Sequence, residues 1–224
     1  MTEEPTGKQQ ARSIEQTIHL EYLLFLPQDY HKHLGKEWPL ILFLHGAGER
    51  GDDLALVKTH GIAKIVEEEP NFPFIAISPQ CPENTRWWEY TRTLKAILDQ
   101  VMAEFAVDEQ RIYLTGLSMG GFGTWSLAMD YPDLFAAIAP ICGGGLSDFV
   151  AVIKDVPVWA FHGAKDLAVP LQASQRMVDA LRAVGGNVKF TVYPGVGHDS
   201  WTQTYENPEL YEWFLQHSRA DRLP

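Results

Sequence analysis

Apolar residues along this chain follow two different rhythms. From Ile18 to Leu26 they occupy every second position (Ile18, Leu20, Tyr22, Leu24, Leu26), and Pro27 stops the run. That period predicts a half-buried strand. The next run, Pro39-Leu40-Ile41-Leu42-Phe43-Leu44, is apolar throughout. Continuous apolar strands belong to a sheet covered on both faces. Phe74–Ile77, Arg111–Leu114, Ala136–Ile141 and Val156–Phe161 read as further members of that sheet. Val188–Tyr193 alternates again, as an edge strand does.

Helical periods fill most of the intervals. Asp53 is placed to cap a helix running to about Glu68, with a break near Gly61. Thr91–Phe105 carries Leu94, Ile97, Leu98, Val101 and Phe105 on one stripe. Leu171–Val184 is amphipathic and ends at Gly185-Gly186. Asn207-Pro208 reads as an N-cap and first turn of a last helix reaching Gln216. Strands alternating with helices predict an α/β fold: a mostly parallel sheet of about seven strands with helices on both faces. No repeat or linker divides residues 1–224, so one domain is expected, with a loose polar stretch over about 1–12.

Composition narrows the partners. The 224 residues carry a formal net charge of −11. An acidic surface repels nucleic acid and anionic lipid, and leaves neutral or cationic small molecules as the easier substrates. No apolar stretch is long enough to cross a bilayer. The start Met1-Thr2-Glu3-Glu4-Pro5 lacks the basic-then-apolar pattern of a signal peptide, so a cytoplasmic location is expected. The two cysteines, Cys81 and Cys142, have no metal-ligand spacing and are expected to be buried free thiols.

The strongest chemical signal is Gly116-Leu117-Ser118-Met119-Gly120-Gly121, between a predicted strand and a predicted helix. It matches G-x-S-x-G, where a serine sits on a sharp turn and flanking positions tolerate almost no side chain. Ser118 is therefore the candidate nucleophile. A helix starting at Met119 points free N–H groups and its positive dipole end at the same place. A serine hydroxyl needs a base, and the base needs an orienting carboxylate. With such a turn, acid and then histidine follow the serine along the chain.

His162, His198 and His217 follow Ser118. His198, in a glycine-rich loop after the last strand, is the candidate base. His162 is expected to be a structural neighbour of the site, and His217 a solvated residue. Asp166, on the loop after the Val156–Phe161 strand, is the favoured acid. Asp199 competes, although neighbouring loop side chains seldom face each other productively. The loop His45-Gly46-Ala47-Gly48-Glu49-Arg50 follows the first core strand. Its Ala47 N–H, or alternatively that of Gly48, is expected to form an oxyanion hole with the N–H of Met119. Glu49 and Arg50 are expected to pin that loop as an ion pair.

These motifs, with Ser78-Pro79-Gln80-Cys81-Pro82, Arg86-Trp87-Trp88 and Gly163-Ala164-Lys165-Asp166, resemble a group of bacterial carboxylesterases of the α/β-hydrolase superfamily. The group is allied to dienelactone hydrolases, feruloyl esterases and polyhydroxybutyrate depolymerases. Its members are often described as phospholipase/carboxylesterase or predicted peptidase. The resemblance runs from about Leu20 to Phe214 and implies an α/β-hydrolase fold without a lid domain. Dienelactone hydrolases use cysteine where this chain has Ser118, which favours ester hydrolysis. By the same analogy, Cys81 and Cys142 lie about three strand spacings apart, roughly 14 Å, beyond disulfide reach.

Trp87, Trp88 and Trp201 are the candidate substrate wall, suited to an acyl chain or an aromatic acid. Trp125 is expected in the core. The expected activity is a serine carboxylesterase acting on neutral short acyl or aryl esters through an acyl-enzyme. It needs no metal or organic cofactor. A peptidase or an acyltransferase with the same triad is the alternative, and a non-catalytic binding protein comes third.

Overall fold

The computed structural model describes residues 19–32 and 35–222. The expected loose stretch over residues 1–12, and Ile18 of the first alternating run, lie outside them. Among the described residues, seven strands form one sheet: β1 (Tyr22–Phe25), β2 (Trp38–Leu44), β3 (Ile75–Pro79), β4 (Val107–Leu117), β5 (Ala137–Ile141), β6 (Val158–Gly163) and β7 (Val188–Tyr193). Their spatial order is β1-β3-β2-β4-β5-β6-β7. β1 pairs antiparallel to β3, and the other pairings are parallel. This is the α/β-hydrolase fold.

The two sequence rhythms match the two environments. β2, β3, β5 and β6 are buried along their whole length, whereas the edge strands β1 and β7 are mostly half-buried. Alternate β2 side chains feed opposite faces. Leu40, Leu42 and Leu44 pack with α2 (Thr91–Glu104), α3 (Met119–Asp130) and α4 (Gln172–Ala183). Ile41 and Phe43 pack with α1 (Gly61–Glu68), α5 (Trp201–Tyr205) and α6 (Pro208–Leu215). With a helix layer on each face, a central strand has no solvent side, so its pattern cannot alternate.

Several boundaries differ from the sequence reading. β4 begins at Val107, because the polar Asp108-Glu109-Gln110 segment is absorbed where its pairing with β2 shifts register between Trp38 and Leu40. The segment capped by Asp53 is a 3-10 turn over Leu54–Thr59; α1 starts separately at Gly61, whose φ is +64°. That fits the expected break. α5 and a 3-10 turn over Ser147–Ile153 carry too few turns to leave a helical period in the sequence. No helix among the described residues is long and apolar enough to cross a membrane.

Parallel strands place their following loops at one edge. The carboxyl ends of β2, β4, β5, β6 and β7 therefore deliver His45, Ser118, Cys142, Asp166 and His198 to the same rim.

Candidate active site

Ser118 joins β4 to α3 with φ 53° and ψ −114°, a conformation an L-residue seldom adopts. Its surroundings leave room for no side chain at the flanking positions. A Cβ on Gly120 would lie 1.8 Å from the Leu44 carbonyl oxygen, and one on Gly116 would lie 2.5 Å from that of Gly120. The elbow can thus be held only by glycines.

Three expected residues meet there. His198 Nε2 lies 2.9 Å from Ser118 Oγ, and His198 Nδ1 lies 2.7 Å from Asp166 Oδ2. The other Asp166 oxygen accepts the backbone N–H groups of Ala168 and Val169, both at 2.9 Å. Burial alone would raise the Asp166 pKa. The hydrogen bonds from His198 and the two backbone groups outweigh that and hold it below the usual range. The acid is therefore ionised, which makes Nδ1 the donor and leaves Nε2 to accept from the serine hydroxyl.

Asp199 is committed elsewhere. It accepts from the Thr202 N–H at 3.1 Å and the Thr202 hydroxyl at 3.0 Å, at the start of α5. His162 is fully buried behind Asp166. Its Nε2 lies 2.9 Å from the Val169 carbonyl oxygen and 3.2 Å from Asp166 Oδ2, and its Nδ1 lies 2.7 Å from Ser174 Oγ. His217 is not solvated as expected. It is half-buried against Trp213, with ring centroids 4.8 Å apart, and burial lowers its pKa.

Ala47 opens a 3-10 turn over Ala47–Glu49, and Met119 opens α3. As first residues of helical turns, neither N–H has an acceptor within its own helix. The loop lies close to the nucleophile: a Cβ on Gly46 would sit 3.8 Å from Ser118 Cβ. His45 fixes the peptide that carries the Ala47 N–H. Its Nε2 accepts the Cys81 N–H at 3.0 Å, so Nδ1 holds the proton and donates to the Gly46 carbonyl at 2.6 Å. Burial pushes the His45 pKa down to about 4, with Arg50 adding to the effect. Sequence reasoning missed this role; the His-Gly pair after a core strand was its signal.

Two expectations are corrected at this loop. Trp87 is not part of a substrate wall. It is fully buried, and its indole N–H donates to the His45 carbonyl at 2.9 Å, so the ring braces the loop from beneath. Glu49 and Arg50 do not pair. Arg50 donates to the carbonyls of Ala47 (2.9 Å) and Thr85 (3.3 Å), while Glu49 is buried with Oε2 3.8 Å from His45 Nδ1. Backbone carbonyls already occupy the guanidinium, which is why the ion pair does not form.

Trp88 is 47% exposed and meets Phe122 with ring centroids 6.4 Å apart. Trp201 is half-buried and stands edge-on to His198, centroids 5.1 Å apart. Trp125 is buried in the core, and Cys81 and Cys142 are buried free thiols.

Comparison with known proteins places the chain among esterases. The family described as phospholipase/carboxylesterase matches residues 72–209, a stretch that holds Ser118, Asp166 and His198 but not the His45 loop. Carboxylesterase SOBER1 of Arabidopsis thaliana is 30% identical over 135 residues, covering 58% of each chain. Probable feruloyl esterase C of Aspergillus niger is 26% identical over 201 residues, 87% of this chain and 73% of that protein. A crystal structure of a thermostable esterase superposes with a TM-score of 0.78 at 38% identity, over 90% of this chain and 60% of that one.

Proposed function

This chain belongs to the phospholipase/carboxylesterase family, and from that premise we propose that it is a serine carboxylesterase acting on neutral short acyl or aryl esters. The observation that carries the reading is the continuous line from Ser118 Oγ through the His198 ring to Asp166 Oδ2, with steps of 2.9 and 2.7 Å. His198 Nε2 takes the hydroxyl proton as Ser118 Oγ attacks the ester carbonyl. Asp166 stabilises the imidazolium that forms. The N–H groups of Ala47 and Met119 receive the oxyanion, in a loop whose peptide plane His45 fixes. His198 then protonates the leaving alcohol. In the second half it activates water, which attacks the acyl-enzyme and releases the acid.

Trp88, Phe122 and the ring edge of Trp201 offer the acyl or aryl group an open aromatic rim. The 142–157 segment that follows β5 is short and carries the exposed Leu146, Phe149 and Val152, which extend the apolar character of that side. Two buried free thiols fit a reducing, cytoplasmic setting.

A panel of p-nitrophenyl esters and a matched peptide amide tests the proposal. Turnover of short acyl and aryl esters, lost in Ser118→Ala, is expected. Peptide cleavage outpacing ester cleavage would reject it in favour of a peptidase.

A further inference from the structure

Three described non-glycine residues have a positive φ: Asn84, Ser118 and Cys142. Asparagine tolerates that region, and Ser118 occupies the elbow. Cys142, with φ 40° directly after β5, is the remaining one. Backbone strain of this kind costs about 1–3 kcal/mol and persists where the surroundings enforce it. Cys142 Sγ, a carboxylate oxygen of Asp166 and a ring nitrogen of His198 all lie within 4.8 Å of one another. The Ser200 hydroxyl and the Ser118 backbone N–H both face the same thiol, and Ser200 is fully buried. Ester hydrolysis as derived above uses neither the thiol nor this hydroxyl.

The geometry points to a binding site for a zinc-type divalent cation, formed by Cys142, Asp166 and His198, whose occupancy switches the esterase off. The switch rests on the triad reading proposed above, while the site itself does not. Three atoms within 4.8 Å of one another all lie within about 2.8 Å of some common point, and zinc bonds to sulfur, nitrogen and oxygen are about 2.0–2.3 Å. Closure therefore asks each side chain to move by less than about 1 Å. One sulfur, one nitrogen and one oxygen suit zinc or cadmium and not magnesium or calcium, which prefer all-oxygen shells. The buried Ser200 hydroxyl stands beside the thiol as a further polar group.

Inhibition follows from proton positions. A cation bound at His198 Nδ1, the nitrogen that faces Asp166, obliges the neutral ring to carry its proton on Nε2. That nitrogen then cannot accept the Ser118 proton. The ring proton passes from Nδ1 to Nε2 through solvent. The Cys142 S–H bond breaks as the S–metal bond forms, because a coordinating thiol is deprotonated, and its proton leaves to solvent. One proton is released per ion, and nothing is oxidised or reduced.

Two readouts test the site. In ester assays Zn²⁺ is expected to inhibit the wild-type protein reversibly, with EDTA restoring the rate and Mg²⁺ inert. Cys142→Ser and Cys142→Gly are expected to hydrolyse ester at near wild-type rates and to need on the order of 10–100-fold more Zn²⁺ for half-inhibition. Glycine relieves the positive φ, which guards against loss of fold in the serine variant. Binding is read independently by Cd²⁺ titration. One thiolate-to-metal charge-transfer band per chain is expected in wild type and in Ser118→Ala, and none in Cys142→Ser. Because Ser118→Ala is read without turnover, a failed esterase assay leaves this result standing. Equal Zn²⁺ sensitivity of wild type and both Cys142 variants, no band in wild type, or a band surviving in Cys142→Ser would each overturn the proposal.

Discussion

The ends of β2 and β7 each carry a histidine to the rim where Ser118 stands, and they hold it in opposite ways. His45 is fully buried, and both of its ring nitrogens are bonded to backbone groups of Cys81 and Gly46. His198 has a side chain 28% exposed, with one nitrogen on the Asp166 carboxylate and the other on the Ser118 hydroxyl. A ring tied to two backbone groups has one tautomer and nowhere to put a second proton, so it serves as a brace. A ring between a carboxylate and a hydroxyl can gain a proton and lose it again, so it is placed to act as a base. Solvent contact matters less than what the two nitrogens face.

The largest consequence of this contrast falls on the β7 loop. His198→Ala is expected to lower kcat for a p-nitrophenyl ester by about 10⁴-fold or more, with KM little changed. Asp166→Asn should cost about 10³–10⁴-fold, because an amide at Oδ2 favours the wrong imidazole tautomer. On the β2 loop, His45→Ala leaves the Cys81 N–H and the Gly46 carbonyl without their partner. About 10–100-fold in kcat is expected, at unchanged KM, since only the transition state feels a loosened oxyanion donor. A loss in His45→Ala equal to that in His198→Ala would erase the distinction between brace and base.

A smaller effect appears in stability against pH. Burial holds His45, His162 and His217 below the usual histidine range, His45 at about 4. The unfolded chain then takes up protons near pH 6.5 before the folded chain does. The contribution of His45 is complete above about 6.5 and is lost as pH falls toward 4, by at most about 1.4 kcal/mol per pH unit. Denaturant titrations of Ser118→Ala at pH 7.5 and pH 5 should show lower stability at pH 5, with a shallower dependence once His45→Gln is added. Trp88→Ala is the smallest change expected: a rise of a few-fold in KM for aryl esters, with acetate esters little affected.

Much of this could be read from the chain because its causes are local or periodic. The buried strands announce themselves as unbroken apolar runs, and the Ser118 elbow as glycines where no Cβ fits. Asp166 and His198 followed from strand order, since parallel strands put their loops on one rim. Trp87 and Glu49 were misjudged for a different reason. Trp87 and Trp88 are neighbours in sequence, yet one is buried under the His45 carbonyl and the other faces solvent. Composition carries no sign of which indole turns inward. The Glu49–Arg50 expectation failed because the carbonyls of Ala47 and Thr85 compete for the guanidinium, and Thr85 is remote in sequence. The short α5 and the 3-10 turn over Ser147–Ile153 leave too few residues for a period to register.

The central claim is that Ser118 is the group attacked and regenerated during hydrolysis. Treating the protein with a fluorophosphonate and mapping the adduct by mass spectrometry tests it most directly. A single adduct on the peptide containing Ser118 is predicted, strongly slowed in His198→Ala. An adduct on another residue, or ester turnover that survives complete modification of Ser118, would contradict it.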